Sequence, residues 1–194
     1  MYKLGNRKEY YIKALQIEIT NKLFPEKLRR IYNPPKKLYC LGNTNLLNTN
    51  IIAVIGAREC STYGKQMAKQ IANELVDNNF TVISGLARGI DSYAHIGGIK
   101  KTIAVLGSGF NYIYPNENID LARNIIKNNG LLISEYAVDK MAEPQNFPER
   151  NRIISALSIG IIVVEAKLKS GTFITVDLGL DEGKNIYAVP RKYK

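Results

Sequence analysis

Residues Ile51–Arg58 read Ile-Ile-Ala-Val-Ile-Gly-Ala-Arg: five apolar residues, a glycine, a small residue and a cation. An uninterrupted run of this kind, mostly β-branched, is the sequence form of a strand buried on both faces, as in a parallel sheet. A polar turn follows, in which Ser61 or Thr62 can cap a helix. Met67, Ala68, Ile71, Ala72 and Leu75 then recur at helical spacing. Strand, glycine turn and helix open a doubly wound α/β domain, whose ligands bind outside the carboxyl ends of the strands. Arg58 falls at such an end, beside the N–H groups of a helix start, which is a place for an anion.

A chain of 194 residues can bury the core of one domain with a small N-terminal appendage. Lys and Arg number 27 against 17 Asp and Glu, an excess of ten positive charges. That excess suggests a polyanionic partner, with nucleic acid the natural one. The plainer alternative is a coding bias, since Lys, Asn and Ile are all plentiful. Cys40 and Cys60 are too few and too isolated for a disulfide framework or a metal cluster, and His95 is the only histidine. No metal and no cofactor is expected. The N-terminal residues carry no signal-like apolar core, and no stretch reaches membrane-spanning length. The expectation is a soluble, cytoplasmic protein without a membrane partner.

Taken in order, Asn6–Thr20 is expected to form a short helix burying Tyr10, Ala14 and Ile17. A turn opens at Pro25, and Lys36–Gly42 reads as a strand. Residues 1–50 are thus expected to be a helical lead-in packed on a main domain of residues 51–194. From Ile51 onward strands and helices alternate. Strands are predicted at Ile51–Gly56, Thr81–Gly85, Thr102–Gly107, Leu131–Ser134, Gly160–Ala166 and Asn185–Val189. Between them come helices to about Asn79, from Asp91 as cap, over Asn118–Asn128, from Arg150, and from Thr172. Alternation with right-handed crossovers gives a mostly parallel sheet with helices on both faces.

The strand ends carry the functional signal. They are Gly56-Ala57-Arg58, Ser84-Gly85 with Arg88, Gly107-Ser108-Gly109, and Lys169-Ser170-Gly171-Thr172. In a parallel sheet these lie on one rim. Glycine admits a ligand close to the backbone, and hydroxyls donate to phosphate oxygens. Gly107-Ser108-Gly109 lacks the last glycine of a dinucleotide fingerprint, and no P-loop lysine follows. Arg150-Asn151-Arg152 opens a helix where cations oppose the dipole. It either ties down carbonyls and carboxylates or contacts phosphate. His95, one turn after Asp91, reads more simply as a satisfied core histidine than as a catalytic pair. Phe110, Tyr112 and Tyr114 can stack bases or merely cover the sheet edge.

Together, the segments Val54–Gly64, Ser84–His95, Thr102–Pro115, Ile133–Tyr136, Phe147–Ser158 and Val163–Thr175 resemble the DprA/Smf family of DNA-processing proteins of bacterial natural transformation. The resemblance covers roughly residues 25–190. It implies an extended Rossmann-like domain that binds single-stranded DNA, dimerises, protects incoming strands and helps load RecA, without enzymatic activity. The pocket implied by the family uses Arg58 and the loops carrying Ser84-Gly85 and Lys169-Ser170-Gly171-Thr172. The DNA-binding set expected here is Gly56, Arg58, Ser84, Gly85, Arg88, Gly107, Ser108, Asn151, Arg152, Lys169, Ser170, Gly171 and Thr172.

The sequence departs from the family in places. Arg191 stands where many members have glycine, Asp177 and Leu178 where they tend to have small or basic residues, and the winged-helix-like domain into which many members continue is not expected here. Two other readings use the same rim. One is a phosphoribohydrolase-like enzyme, similar to proteins that carry Pro-Gly-Gly-x-Gly-Thr-x-x-Glu. Here Thr175 occupies the position of the acid–base glutamate, and such chemistry needs a titratable group there. The other is a nucleotide-binding sensor, which needs the rim but not the excess charge.

Overall fold

The computed structural model describes residues 2–3, 11–12, 14–167 and 170–190. Strands β1 (Leu15–Glu18), β2 (Lys37–Gly42), β3 (Ile51–Ile55), β4 (Thr81–Ser84), β5 (Thr102–Val105), β6 (Leu131–Ser134), β7 (Gly160–Val163) and β8 (Asn185–Ala188) form one sheet in the order β8-β7-β3-β4-β5-β6-β2-β1. The six strands from β8 to β6 run parallel, and β2 and β1 add on antiparallel at the β6 side. Helices α2 (Thr62–Asp77), α3 (Ile90–Gly97), α4 (Ile119–Lys127), α5 (Asn146–Leu157) and α6 (Gly171–Asp181) make the crossovers, and a single turn, α1 (Glu26–Arg29), precedes β2.

The helices cover both faces because β3 and its neighbours are apolar on both. Ile51, Ala53 and Ile55 join a core with Ile153, Ile154 and Leu157 of α5 and Val176 of α6. Val54, pointing the other way, packs with Ala68 and Ala72 of α2 and Ile90 and Ala94 of α3. Leu86, Leu106 and Phe110 gather with Ala122 and Ile125 of α4.

From β3 the chain winds one way through β4, β5 and β6, whereas β7 and β8 lie on the other side of β3. The switch point is therefore the gap between the carboxyl ends of β3 and β7. This is where such a sheet leaves room for a ligand.

The expected helix over Asn6–Thr20 is corrected in its described part. Tyr11–Ile12 pairs antiparallel with Tyr2–Lys3, and Leu15–Glu18 is strand β1 on the edge of the main sheet. The Asn6–Tyr10 stretch lies outside the described residues. Leu15-Gln16-Ile17-Glu18 alternates apolar with polar, a period-two pattern, and Ile17 alone of the four is buried. Helix α5 begins at Asn146, a turn before Arg150, with Pro148 inside its first turn, where a missing N–H costs nothing. Asp91 sits in the first turn of α3 and not at its cap, which is Gly89 at φ 73°.

Candidate nucleic-acid interface

A cleft of about 390 Å³ opens at the switch point. One wall is the turn after β3, Gly56–Glu59. The other is the start of α6, with Ser170, Gly171, Thr172 and Thr175. Phe147, Arg150 and Asn151 of α5 and Asp91 of α3 complete it. A smaller pocket adjoins it, lined by Arg58, Gly85, Ala87, Arg88, Tyr114, Pro115 and Phe147.

The two helix starts beside the cleft differ. At α2, Ser61 Oγ accepts from Gly64 N at 3.0 Å, and the Glu165 carboxylate accepts from Ser61 N at 3.0 Å and from Ser61 Oγ at 2.9 Å. The anion site expected at this start is thus filled by the protein's own carboxylate. Gly56 is fixed by the backbone of the same residue: a Cβ there would stand 2.6 Å from the Glu165 backbone carbonyl and 2.7 Å from Ile90 Cγ1. At α6, Ser170 holds the cap position with extended backbone but makes no cap hydrogen bond, and its Oγ has no partner. At the start of α6, Phe173 N donates to the Ser170 carbonyl at 3.0 Å, while the N–H groups of Gly171 and Thr172 have no carbonyl within their own helix and are open to an anion in the cleft these residues line. Space beside Gly171 is empty within 4 Å. Asn151 Nδ2 donates to the Gly171 carbonyl at 3.4 Å and ties α5 to this loop.

The cations separate in the same way. Arg58 is exposed, and among the described residues no carboxylate pairs with it. Its guanidinium lies 5.9 Å from the centre of the Phe147 ring. Arg150 is 4% exposed and donates to the carbonyls of Gly85 and Val105. Burial draws its pKa down to about 10, opposed by the Asp91 carboxylate. Asp91 in turn accepts from Gly85 N at 3.1 Å and Ala87 N at 3.4 Å, and burial raises its pKa while Arg150 opposes the rise. Arg88 forms a two-point pair with Glu117, at 2.8 Å in each contact. Lys167 pairs with Glu59 at 3.0 Å, both exposed.

Of the expected residues, Gly56, Arg58, Asn151, Ser170, Gly171 and Thr172 line the main cleft, and Gly85 and Arg88 the adjoining pocket. Four are placed elsewhere. Ser84 is buried, its hydroxyl donating to the Val54 carbonyl at 2.7 Å. Ser108 is also buried, and its carbonyl accepts from Ser134 Oγ at 2.8 Å. Gly107 lies behind the Phe147 ring, and its carbonyl accepts from Asn146 Nδ2. Arg152 points away from the cleft into a fork on both oxygens of Glu135, with a further bond to the Asn33 carbonyl. Lys169 lies outside the described residues. The open question about Arg150 and Arg152 is answered structurally: both are anchors within the fold.

Phe147 is the lining residue that sequence reasoning missed. The sequence reading starts this helix at Arg150, past Phe147, but Phe147 belongs to the first turn of α5, tilted against Tyr114 with ring centres 5.4 Å apart. Phe110 is fully buried, while Tyr112 and Tyr114 are exposed. His95 is buried, with Nδ1 2.8 Å from Thr102 Oγ1. Because Thr102 donates to the Val82 carbonyl, Nδ1 carries the proton toward Thr102. Burial holds the imidazole pKa down to about 3, so the ring is neutral. No helix among the described residues is long and apolar enough to cross a membrane.

The profile of the DNA recombination-mediator protein A family matches residues 16–194. The DNA processing protein DprA of Bacillus subtilis is 40% identical over 178 residues, which cover 90% of this chain and 60% of that protein. The solved structure of the Streptococcus pneumoniae DprA superposes with a TM-score of 0.87 at 38% identity, covering 93% of this chain and 64% of the other. That of the Helicobacter pylori DNA processing protein A, described for its single-stranded DNA binding mode, has a TM-score of 0.87 at 35% identity. It covers 94% of this chain and 83% of the other.

Proposed function

We propose that this chain, which belongs to the DNA recombination-mediator protein A family, holds a single strand of DNA in the cleft between the carboxyl ends of β3 and β7. One observation carries the reading: the uncapped start of α6 and the unpaired guanidinium of Arg58 face the same cleft. Free N–H groups at a helix start and a mobile cation are the two common ligands of a backbone phosphate. The phosphate sits between Arg58 and Gly171-Thr172, with Asn151 and Ser170 beside it. A base then reaches the adjoining pocket, where Phe147 and Tyr114 offer ring faces. In a duplex the bases stay stacked inside, and only phosphates are offered to the rim.

Within the family's role, as the resemblance implies it, the chain protects incoming strands and helps load RecA in the cytoplasm. It acts as a homodimer. Support for a subunit contact comes from α6, whose residues Phe173 and Leu180 are apolar and exposed, next to the edge strand β8 with Tyr187 exposed. The chain spans 60% of the length of its Bacillus relative, so these activities are assigned to the family's shared portion alone.

The carboxylates support binding without catalysis, and Glu59 at the cleft is paired with Lys167. Thr175 stands where an acid–base glutamate is needed, and Asp91 is occupied by two backbone N–H groups and Arg150. Fluorescence anisotropy of a labelled single strand against its duplex and against a mononucleotide tests the reading. The expected order is single strand first, with affinity falling steeply as salt rises. Saturable mononucleotide binding that an oligonucleotide does not displace would replace this reading with that of a sensor.

A further inference from the structure

Helices α2 and α3 run side by side away from the cleft. Their contact begins where Ile90 meets Gly64 and the floor glycine Gly56, and it closes where Gly97 meets the backbone of Lys69. Between these layers, on the outer surface, lies Tyr93. Lys65 Nζ is 5.7 Å and Lys69 Nζ 5.3 Å from its ring centre. Two ammoniums one helical turn apart repel each other. Among the described residues no carboxylate pairs with either. The structure thus collects two like charges on one aromatic ring and supplies no anion to balance them. The ring is half-buried and fixed by packing, whereas the ammoniums over its outer face are held by a weak contact and can turn to a phosphate.

We infer that Lys65, Tyr93 and Lys69 form a second contact for single-stranded DNA, outside the cleft and on the strand that leaves it; the inference rests on the proposed role of the cleft. A base stacks on Tyr93, and the flanking phosphates take the two ammoniums. The position fits a continuous track. Tyr93 lies one helical turn, about 5 Å along the axis, from Ile90. Gly89, just before Ile90, packs on the backbone of Arg58. A strand held at Arg58 therefore reaches Tyr93 within a nucleotide or two. The ring and the alternating cations suit a flexible strand with unstacked bases.

The test compares a short oligothymidylate that fills the cleft alone with one several times longer, on the full chain. The wild type binds the longer strand more tightly. The double change Lys65→Gln with Lys69→Gln leaves the short strand's affinity unchanged and makes the longer strand's salt slope shallower by about 1.4, two phosphates at about 0.7 each. Tyr93→Leu, which keeps the apolar packing, weakens the longer strand about fivefold to tenfold and leaves the short one alone. An unchanged slope in the double variant, with the long strand still sensitive to Arg58→Ala, overturns the second contact and spares the cleft. The reverse pattern, sensitivity to the lysines with none to Arg58, keeps this contact and overturns the cleft.

Discussion

The two helix starts that flank the cleft are alike in geometry and opposite in use. The α2 start is sealed from within by Ser61 and the Glu165 carboxylate. The α6 start has a serine in the cap position that makes no cap bond. The arginines repeat the contrast. Arg150 spends its donors on the Gly85 and Val105 carbonyls, whereas Arg58 has no carboxylate partner among the described residues. Part of the cleft's charge is thus satisfied by the fold, and part is left for a ligand. A cation or a helix dipole near a cleft is thus not by itself a binding group, and what matters is whether the protein has already used it.

Removing the sealed side should cost stability. Arg150→Met leaves the Asp91 carboxylate buried without its counter-charge, and a loss of about 3–5 kcal/mol is expected in urea unfolding. A loss under about 1 kcal/mol would mean that Arg150 is not an internal anchor.

The neutral His95 beneath the same side makes stability pH-dependent. Its folded pKa is lowered to about 3 from an unfolded value of 6.5. The unfolded chain therefore takes up a proton that the folded one refuses. Its contribution is complete above pH 6.5 and is lost as pH falls toward about 3. His95→Gln should flatten the stability profile in that window by about 1.4 kcal/mol per pH unit. Parallel profiles for the two proteins would contradict the buried neutral ring.

On the open side the order of effects reverses. Arg58→Ala should weaken single-strand binding about tenfold and leave the unfolding midpoint in place. Arg88→Ala, whose exposed guanidinium already pairs with Glu117, should leave the unfolding midpoint in place. Its effect on binding should be smaller than that of Arg58→Ala.

The parallel sheet was legible because the β3 run and its alternation with helices are local patterns. The rim was legible because chain direction places every strand end on one side. Other parts were not visible in the same way. The β1 strand carried a period-two signal that competed with a helical reading of the same residues. Phe147 is missed when the helix is read from Arg150, whereas it begins at Asn146 with Pro148 in a first turn that tolerates it. Ser84 ends β4 and Ser108 follows β5, but whether a hydroxyl faces the rim or the interior is set by packing. The sealing of α2 depends on Glu165, more than a hundred residues along the chain from Ser61. No local pattern announces such a contact.

The most direct test puts one charge change on each helix start and reads binding and stability together. Gly171→Asp points a carboxylate into the open cleft at the first turn of α6, and Glu165→Gln removes the carboxylate that seals α2. The account predicts that Gly171→Asp abolishes single-strand binding while stability holds or rises by about 0.5 kcal/mol, since an acidic residue suits a helix start. It predicts that Glu165→Gln loses about 1 kcal/mol of stability and keeps its binding. Wild-type affinity in a folded Gly171→Asp protein would contradict the claim that the start of α6 holds the phosphate.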